Sequence, residues 1–286
     1  MILRGLRDIA ASYDAFLVDL WGVVHDGKAP FAGVIEVLRE LASAGRRVVF
    51  LTNTSRASER VVETLEEMGI GRDLFEAVIS SGDVTRAALL AEDPPLFAGL
   101  PAAPRLLHLG DASFVPWLFE LGHRFVEDVG DADLVIATGA PRDEAALAIT
   151  RAQLEPAAAR DVPLVCTNPD RVIPAARGLT PGPGAVAALY AELGGRTFLY
   201  GKPHAPIYAA ARRQLGEVPA ARVLAIGDLL ATDIRGARAA GMPSALVLAT
   251  GGHAAALGPT PSDAVIDALC TEASVIPDFV LDRFAW

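Results

Sequence analysis

Short apolar runs and longer amphipathic stretches alternate along almost the whole chain. Residues 15–21 read as a strand whose apolar start, Ala15-Phe16-Leu17-Val18, leads into Asp19; an unbroken apolar run of this length suits a strand covered on both faces. Residues 31–44 place apolar side chains at helical spacing, and Gly45 sits where a helix would stop. A second strand is predicted at 46–53, a second helix at 57–68 closed by Gly69, and a short third strand at 77–81. Beyond the proline-bearing stretch 94–104, a second alternating block predicts strands at 105–110, 134–139 and 163–168 with helices at 113–121 and 143–160. After the Pro/Gly-rich stretch 178–184 come predicted helices at 184–193, 206–215, 232–240 and near 262–270, and strands at 197–201, 223–226, 245–249 and near 278–282. Such alternation requires crossover helices, which implies the α/β class with a doubly wound, mostly parallel sheet. The two Pro/Gly-rich connectors predict an α/β insertion over 82–180, of the kind that acts as a mobile cap, inside a larger domain made of 1–81 and 181–286. One continuous sheet with long loops is the alternative.

Composition narrows the partners. The chain has 286 residues, 52% of them hydrophobic, and a formal net charge of −10. That charge argues against nucleic acid or an anionic membrane as the main partner, but leaves room for an anionic small molecule at a locally positive or metal-bearing site. The two cysteines, Cys166 and Cys270, have no metal-ligand or redox spacing and fit a reducing compartment. The first eleven residues mix Arg4, Arg7 and Asp8 with apolar residues, unlike a signal peptide, and no apolar run reaches the length of a membrane span. The expectation is a cytoplasmic protein.

Four polar stretches fall at predicted strand ends: Asp19 in DLWG, Thr52-Asn53 in FLTNTSR, Lys202 in YGKP, and Asp228 with Asp233 in GDLLATD. Each alone is more often a turn or cap residue. Together, at the carboxyl ends where open α/β sheets bind ligands, they suit phosphoryl transfer, which needs a nucleophile, a metal and donors around the moving group. Asp19 can attack as a carboxylate, through an aspartyl-phosphate intermediate. Asp19 and Asp228 supply the one or two carboxylates that Mg²⁺ usually takes, with a main-chain carbonyl just after Asp19 as a further oxygen. Asp233 can cap a helix and hold metal-bound water. Thr52 and Asn53 offer a hydroxyl and an amide to phosphoryl oxygens, and Lys202 a compact positive charge.

The stretches VDLWGVVHDG, VVFLTNTSR, LYGKP and AIGDLLATDIRGA, with TNPD at 167–170, resemble the haloacid dehalogenase (HAD) superfamily. The match is closest to its class IIA branch of p-nitrophenyl and nucleotide phosphatases. The resemblance implies a HAD-type, Rossmann-like core with a class II cap inserted between the second and third motifs. It implies Asp19 as nucleophile and metal ligand, the main-chain oxygen of Trp21 as another ligand, and Thr52, Asn53 and Lys202 around the phosphoryl group. Asp228 and Asp233 would complete a Mg²⁺ site, the substrate would be a small phosphorylated metabolite, and two copies would pair through the cap. Trp21 departs from the pattern: phosphatases of this superfamily usually carry there an Asp that protonates the leaving alcohol and then activates water, and indole does neither. That leaves a phosphatase suited to good leaving groups or served by another acid such as His25 or Asp26, a dehalogenase-like hydrolase, or a weakened phosphometabolite-binding protein. Arg56, Arg142, Asp170 and Arg171 are further candidates for substrate contact. Phe114, Trp117 and Phe119, on one predicted helix, suit core packing or a contact between copies, and Cys166 suits the core.

Overall fold

The computed structural model describes residues 2–175, 178–258 and 261–286. The chain divides into two compact units: residues 1–52, 58–79 and 202–286 in the first, and 53–57 with 80–201 in the second.

The strands in chain order are β1 (Ile2–Leu3), β2 (Ala15–Val18), β3 (Arg47–Thr52), β4 (Ala77–Ser80), β5 (Arg105–Leu109), β6 (Arg124–Val126) and β7 (Leu134–Ala137). They continue with β8 (Leu164–Cys166), β9 (Val172–Ala175), β10 (Gly178–Pro181), β11 (Thr197–Leu199), β12 (Val223–Gly227), β13 (Ser244–Val247) and β14 (Phe279–Leu281). The first unit is built on a seven-stranded sheet in the order β1-β14-β13-β12-β2-β3-β4. From β1 across to β3 every neighbour pair is parallel. Chain order runs outward from β2 through β3 to β4 and, the other way, from β12 through β13 to β14, with β1 added at that edge, so the reversal of strand order falls between β2 and β12, where such sheets bind ligands. Both strands are wholly buried, as their apolar runs require. Phe16, Val18, Phe50, Leu224 and Ile226 pack on Val37, Leu38 and Leu41 of the helix Val34–Ser43. Gly45 ends that helix at φ +66, with its N–H on Ala42 O and that of Arg46 on Leu41 O.

The second unit holds a five-stranded parallel sheet, β11-β8-β7-β5-β6, and the antiparallel pair β9–β10. The helices Glu144–Ala159 and Pro183–Glu192 cover it, and Tyr190, fully buried, donates from its hydroxyl to Val162 O at 2.6 Å. Two expectations are corrected here. The second unit runs to Gly201, not 180: β11 pairs with β8, and Val186, Ala187 and Leu189 join this unit's core. The Pro/Gly-rich stretch marks a hairpin strand and a helix start, because Pro183 suits a first helical turn and Gly182 lies against the Asp170 carbonyl with no room for a Cβ. Nor is 113–121 one helix. A 3-10 turn at Ala112–Phe114 is followed by a separate short helix, Pro116–Phe119, since Pro116 has no N–H to continue the first turn. Among the described residues no helix is long and apolar enough to cross a membrane.

Candidate active site

Parallel register brings the key carboxylates together. Leu17 and Val18 lie opposite Ala225 and Ile226, and the Asp19 N–H continues the ladder to Ile226 O at 2.9 Å. Asp19, just past β2, and Asp228, just past β12, therefore emerge side by side at the carboxyl edge of the sheet. Asp233 reaches them from a π-helical turn, Leu230–Ile234, in which its Oδ2 accepts the Leu229 N–H at 3.1 Å. Gly227 admits it: a Cβ there would sit 2.2 Å from the Asp233 side chain. The three residues each offer an oxygen within 4.8 Å of the others.

Lys202 is the counter-charge. It is 3% exposed, and its Nζ lies 2.7 Å from Asp19 Oδ1 and 2.7 Å from Asp233 Oδ1. Burial alone would lower the Lys202 ammonium, but the two carboxylates overcome that and hold it well above its ordinary range. Burial pushes Asp19 up to about 7, with Lys202 pulling it down and Asp233 pushing it up. Asp228 is held well above the usual carboxylate range by burial, then by the charges of Asp19 and Asp233. Asp19 and Asp228 thus favour their protonated forms in the absence of further positive charge, which is the electrostatic condition of a cation site.

Trp21 leaves its indole 38% exposed. Gly22 follows at φ +84, donating its N–H to His25 O at 3.0 Å, and a Cβ on Gly22 would meet Asp228 Oδ2 at 2.3 Å. His25 and Asp26 build the next turn: His25 Nδ1 accepts from Gly27 N–H, and Asp26 Oδ1 from the N–H groups of Lys28 and Ala29. Those last two bonds hold Asp26 below the usual range, as suits a turn residue. Thr52 closes β3 in the first unit. Asn53 belongs to the second unit, where its Nδ2 donates to Asp170 Oδ1 at 2.9 Å. Arg56 stacks over the Phe114 ring, Trp117 is buried with Nε1 on Ser55 O, and Phe119 packs on Phe125. Arg142 and Arg171 are exposed. Cys166 is core, its thiol pushed up to about 12 by burial. Gly252 N–H lies 2.6 Å from Asp228 Oδ2, a contact whose one visible signal in the sequence is the doubled glycine Gly251-Gly252.

A family model for haloacid dehalogenase-like hydrolases matches residues 16–123, and a HAD-hydrolase-like model matches 199–273. A crystal structure of a haloacid dehalogenase-like hydrolase from Brucella suis 1330 is 32% identical, covers 99% of this chain and 100% of its own, and superposes with a TM-score of 0.81. The chain belongs to the haloacid dehalogenase-like hydrolases and is an enzyme of that family. D-glycerol 3-phosphate phosphatase of Mycobacterium tuberculosis is 36% identical over 85% of this chain, which spans 65% of that protein's length. A structure of glycerol phosphate phosphatase from that organism in complex with magnesium is 32% identical, covers 85% of this chain and 70% of its own, and has a TM-score of 0.61.

Proposed function

We propose that the chain is a Mg²⁺-dependent phosphoric monoester hydrolase acting on a small phosphorylated metabolite, with Asp19 as nucleophile. The observation that carries this is the set of three carboxylates within 4.8 Å of one another, two of them bridged by one buried lysine, at the point where strand order reverses. The phosphatase relative and the magnesium-bound structure support it.

The donor set fits Mg²⁺, a hard cation that prefers carboxylate and carbonyl oxygen. Asp19, Asp228 and the main-chain oxygen of Trp21 would hold it, with Asp233 orienting the site. When bound, the cation supplies positive charge that offsets the carboxylates and the phosphoryl oxygens. Lys202 holds Asp19 ionised and oriented, and steadies the anionic group against it. An Asp19 oxygen forms a bond to phosphorus as the ester P–O bond breaks, and the leaving oxygen takes a proton from solvent. Water then attacks the aspartyl phosphate, returning the carboxylate and releasing phosphate. Thr52 donates its hydroxyl to a phosphoryl oxygen, and Asn53 donates its amide. The second unit serves as the inserted cap.

Trp21 shapes the substrate preference. With indole in place of a proton donor, leaving groups that depart without protonation are favoured, because positioned acid–base help is worth about 10²–10⁴ in rate. Aryl and acyl phosphates are therefore turned over faster than alkyl phosphates. The test is phosphate release from p-nitrophenyl phosphate with Mg²⁺ and with EDTA. Asp19→Asn abolishes the Mg²⁺-dependent release; full activity in that variant removes Asp19 from the mechanism, and equal rates in EDTA remove the metal.

A further inference from the structure

Residues 250–253, in the loop after β13, touch the turns that follow both central strands of the first unit. Thr250 Oγ1 donates to Gly22 O at 2.7 Å, Gly252 N–H donates to Asp228 Oδ2 at 2.6 Å, and His253 Nε2 accepts from Leu230 N–H at 3.3 Å. The approach is close on every side. A Cβ on Gly251 would lie 2.2 Å from Asp228 Cβ, and one on Gly252 would lie 2.6 Å from the Leu229 side chain. Two consecutive glycines after a strand are what such an approach demands.

Each bond has a consequence for the carboxyl edge. Gly252 occupies one oxygen of Asp228 and so sets the direction of the other. Thr250 anchors Gly22 from one side while His25 O holds its N–H from the other. Because a peptide is planar, fixing the Gly22 N–H fixes the Trp21 carbonyl that points the opposite way. His253 secures the backbone two residues past Asp228, at the start of the π-helical turn that delivers Asp233.

We propose that residues 250–253 act as a positioning strap that pre-orients Asp228, the Trp21 carbonyl and the Asp233 turn for a divalent cation, with Thr250 and His253 setting metal affinity while touching neither metal nor substrate. The inference rests on the metal-site reading given above. Partners that orient metal ligands are worth about 10–100-fold in affinity, so losing Thr250 or His253 weakens Mg²⁺ binding by about that factor.

The experiment is isothermal titration of the full chain, stripped with EDTA, with Mg²⁺ alone, paired with urea unfolding in EDTA. Thr250→Val and His253→Leu are expected to weaken Mg²⁺ binding at least about tenfold while keeping the wild-type unfolding midpoint. Thr250→Ser and His253→Gln, which restore the hydroxyl and an acceptor, are expected to bind as wild type does. Wild-type Mg²⁺ affinity in both Thr250→Val and His253→Leu overturns the strap and leaves the metal site standing. Loss of midpoint in step with affinity, without rescue by the conservative pair, assigns these residues a purely structural role and also overturns it. Failure of the wild-type protein to bind Mg²⁺ removes the metal site and the strap together.

Discussion

Replacing Lys202 by methionine keeps the buried length of the side chain and deletes its charge. The two carboxyl groups it bridges, each 2.7 Å from Nζ, are then left facing one another and Asp228. Breaking a buried pair by removing one partner costs about 3–5 kcal/mol, and Lys202 serves two partners, so the upper half of that range applies when both are ionised. Protonation of Asp19 is the escape. Asp19 already sits up at about 7 with the lysine present, and without it that carboxyl takes a proton more readily, so the penalty grows with pH. Urea unfolding of wild type and Lys202→Met in EDTA at pH 5.5 and pH 8 measures this. The expected loss is about 4–5 kcal/mol at pH 8 and well under half of that at pH 5.5, with an unchanged denaturant slope. Added Mg²⁺ recovers part of the loss at pH 8. A loss below about 1 kcal/mol at pH 8, or one that does not depend on pH, refutes the reasoning that this ammonium neutralises a buried acidic cluster.

Gly22→Ala places a Cβ 2.3 Å from Asp228 Oδ2 at φ +84; the left-handed backbone costs about 1–2 kcal/mol, and Mg²⁺ affinity measured by titration falls at least about tenfold. Asp19 has its folded pKa raised, so the folded state binds more protons than the unfolded one from about pH 4 up to about 7. Wild-type stability in EDTA therefore falls across that window relative to Asp19→Asn, by up to about 4 kcal/mol at 1.36 kcal/mol per pH unit. Thermal melts of the pair at pH 4 to 8 check the sign, and saturating Mg²⁺ removes the trend. Trp21→Asp, a change at a partly exposed side chain, raises turnover of alkyl phosphates by about 10²–10⁴ and that of p-nitrophenyl phosphate far less, read from steady-state phosphate release.

Much of this was legible because the central strands are unusually plain. The runs at 15–18 and 223–227 have no polar interruption, so the first polar residue after each marks the carboxyl edge, and Asp19 and Asp228 follow from position alone. The helix expected at 143–160 is found at Glu144–Ala159 because Asp143 accepts the Ala146 N–H, a cap readable from sequence. Proline and glycine misled where they were read as boundaries. They record local backbone needs, and whether a strand such as β11 pairs with β8 or joins the larger sheet depends on partners far away in the chain. Strand β6 and the helix Ser81–Leu90 went unread for the related reason that a three-residue strand and a weakly amphipathic helix carry little periodicity. The bond from the Asn53 amide to Asp170 is illegible for the same cause, since the two residues lie over a hundred positions apart.

In this mechanism Asp19 itself takes up phosphorus. Acid quench of the enzyme during turnover of p-nitrophenyl phosphate with Mg²⁺, followed by peptide mass spectrometry, measures this directly. A phosphoryl adduct is expected on the peptide containing Asp19, absent in Asp19→Asn and in EDTA. An adduct on another residue, or steady phosphate release by an Asp19→Asn enzyme with no adduct at all, would contradict it.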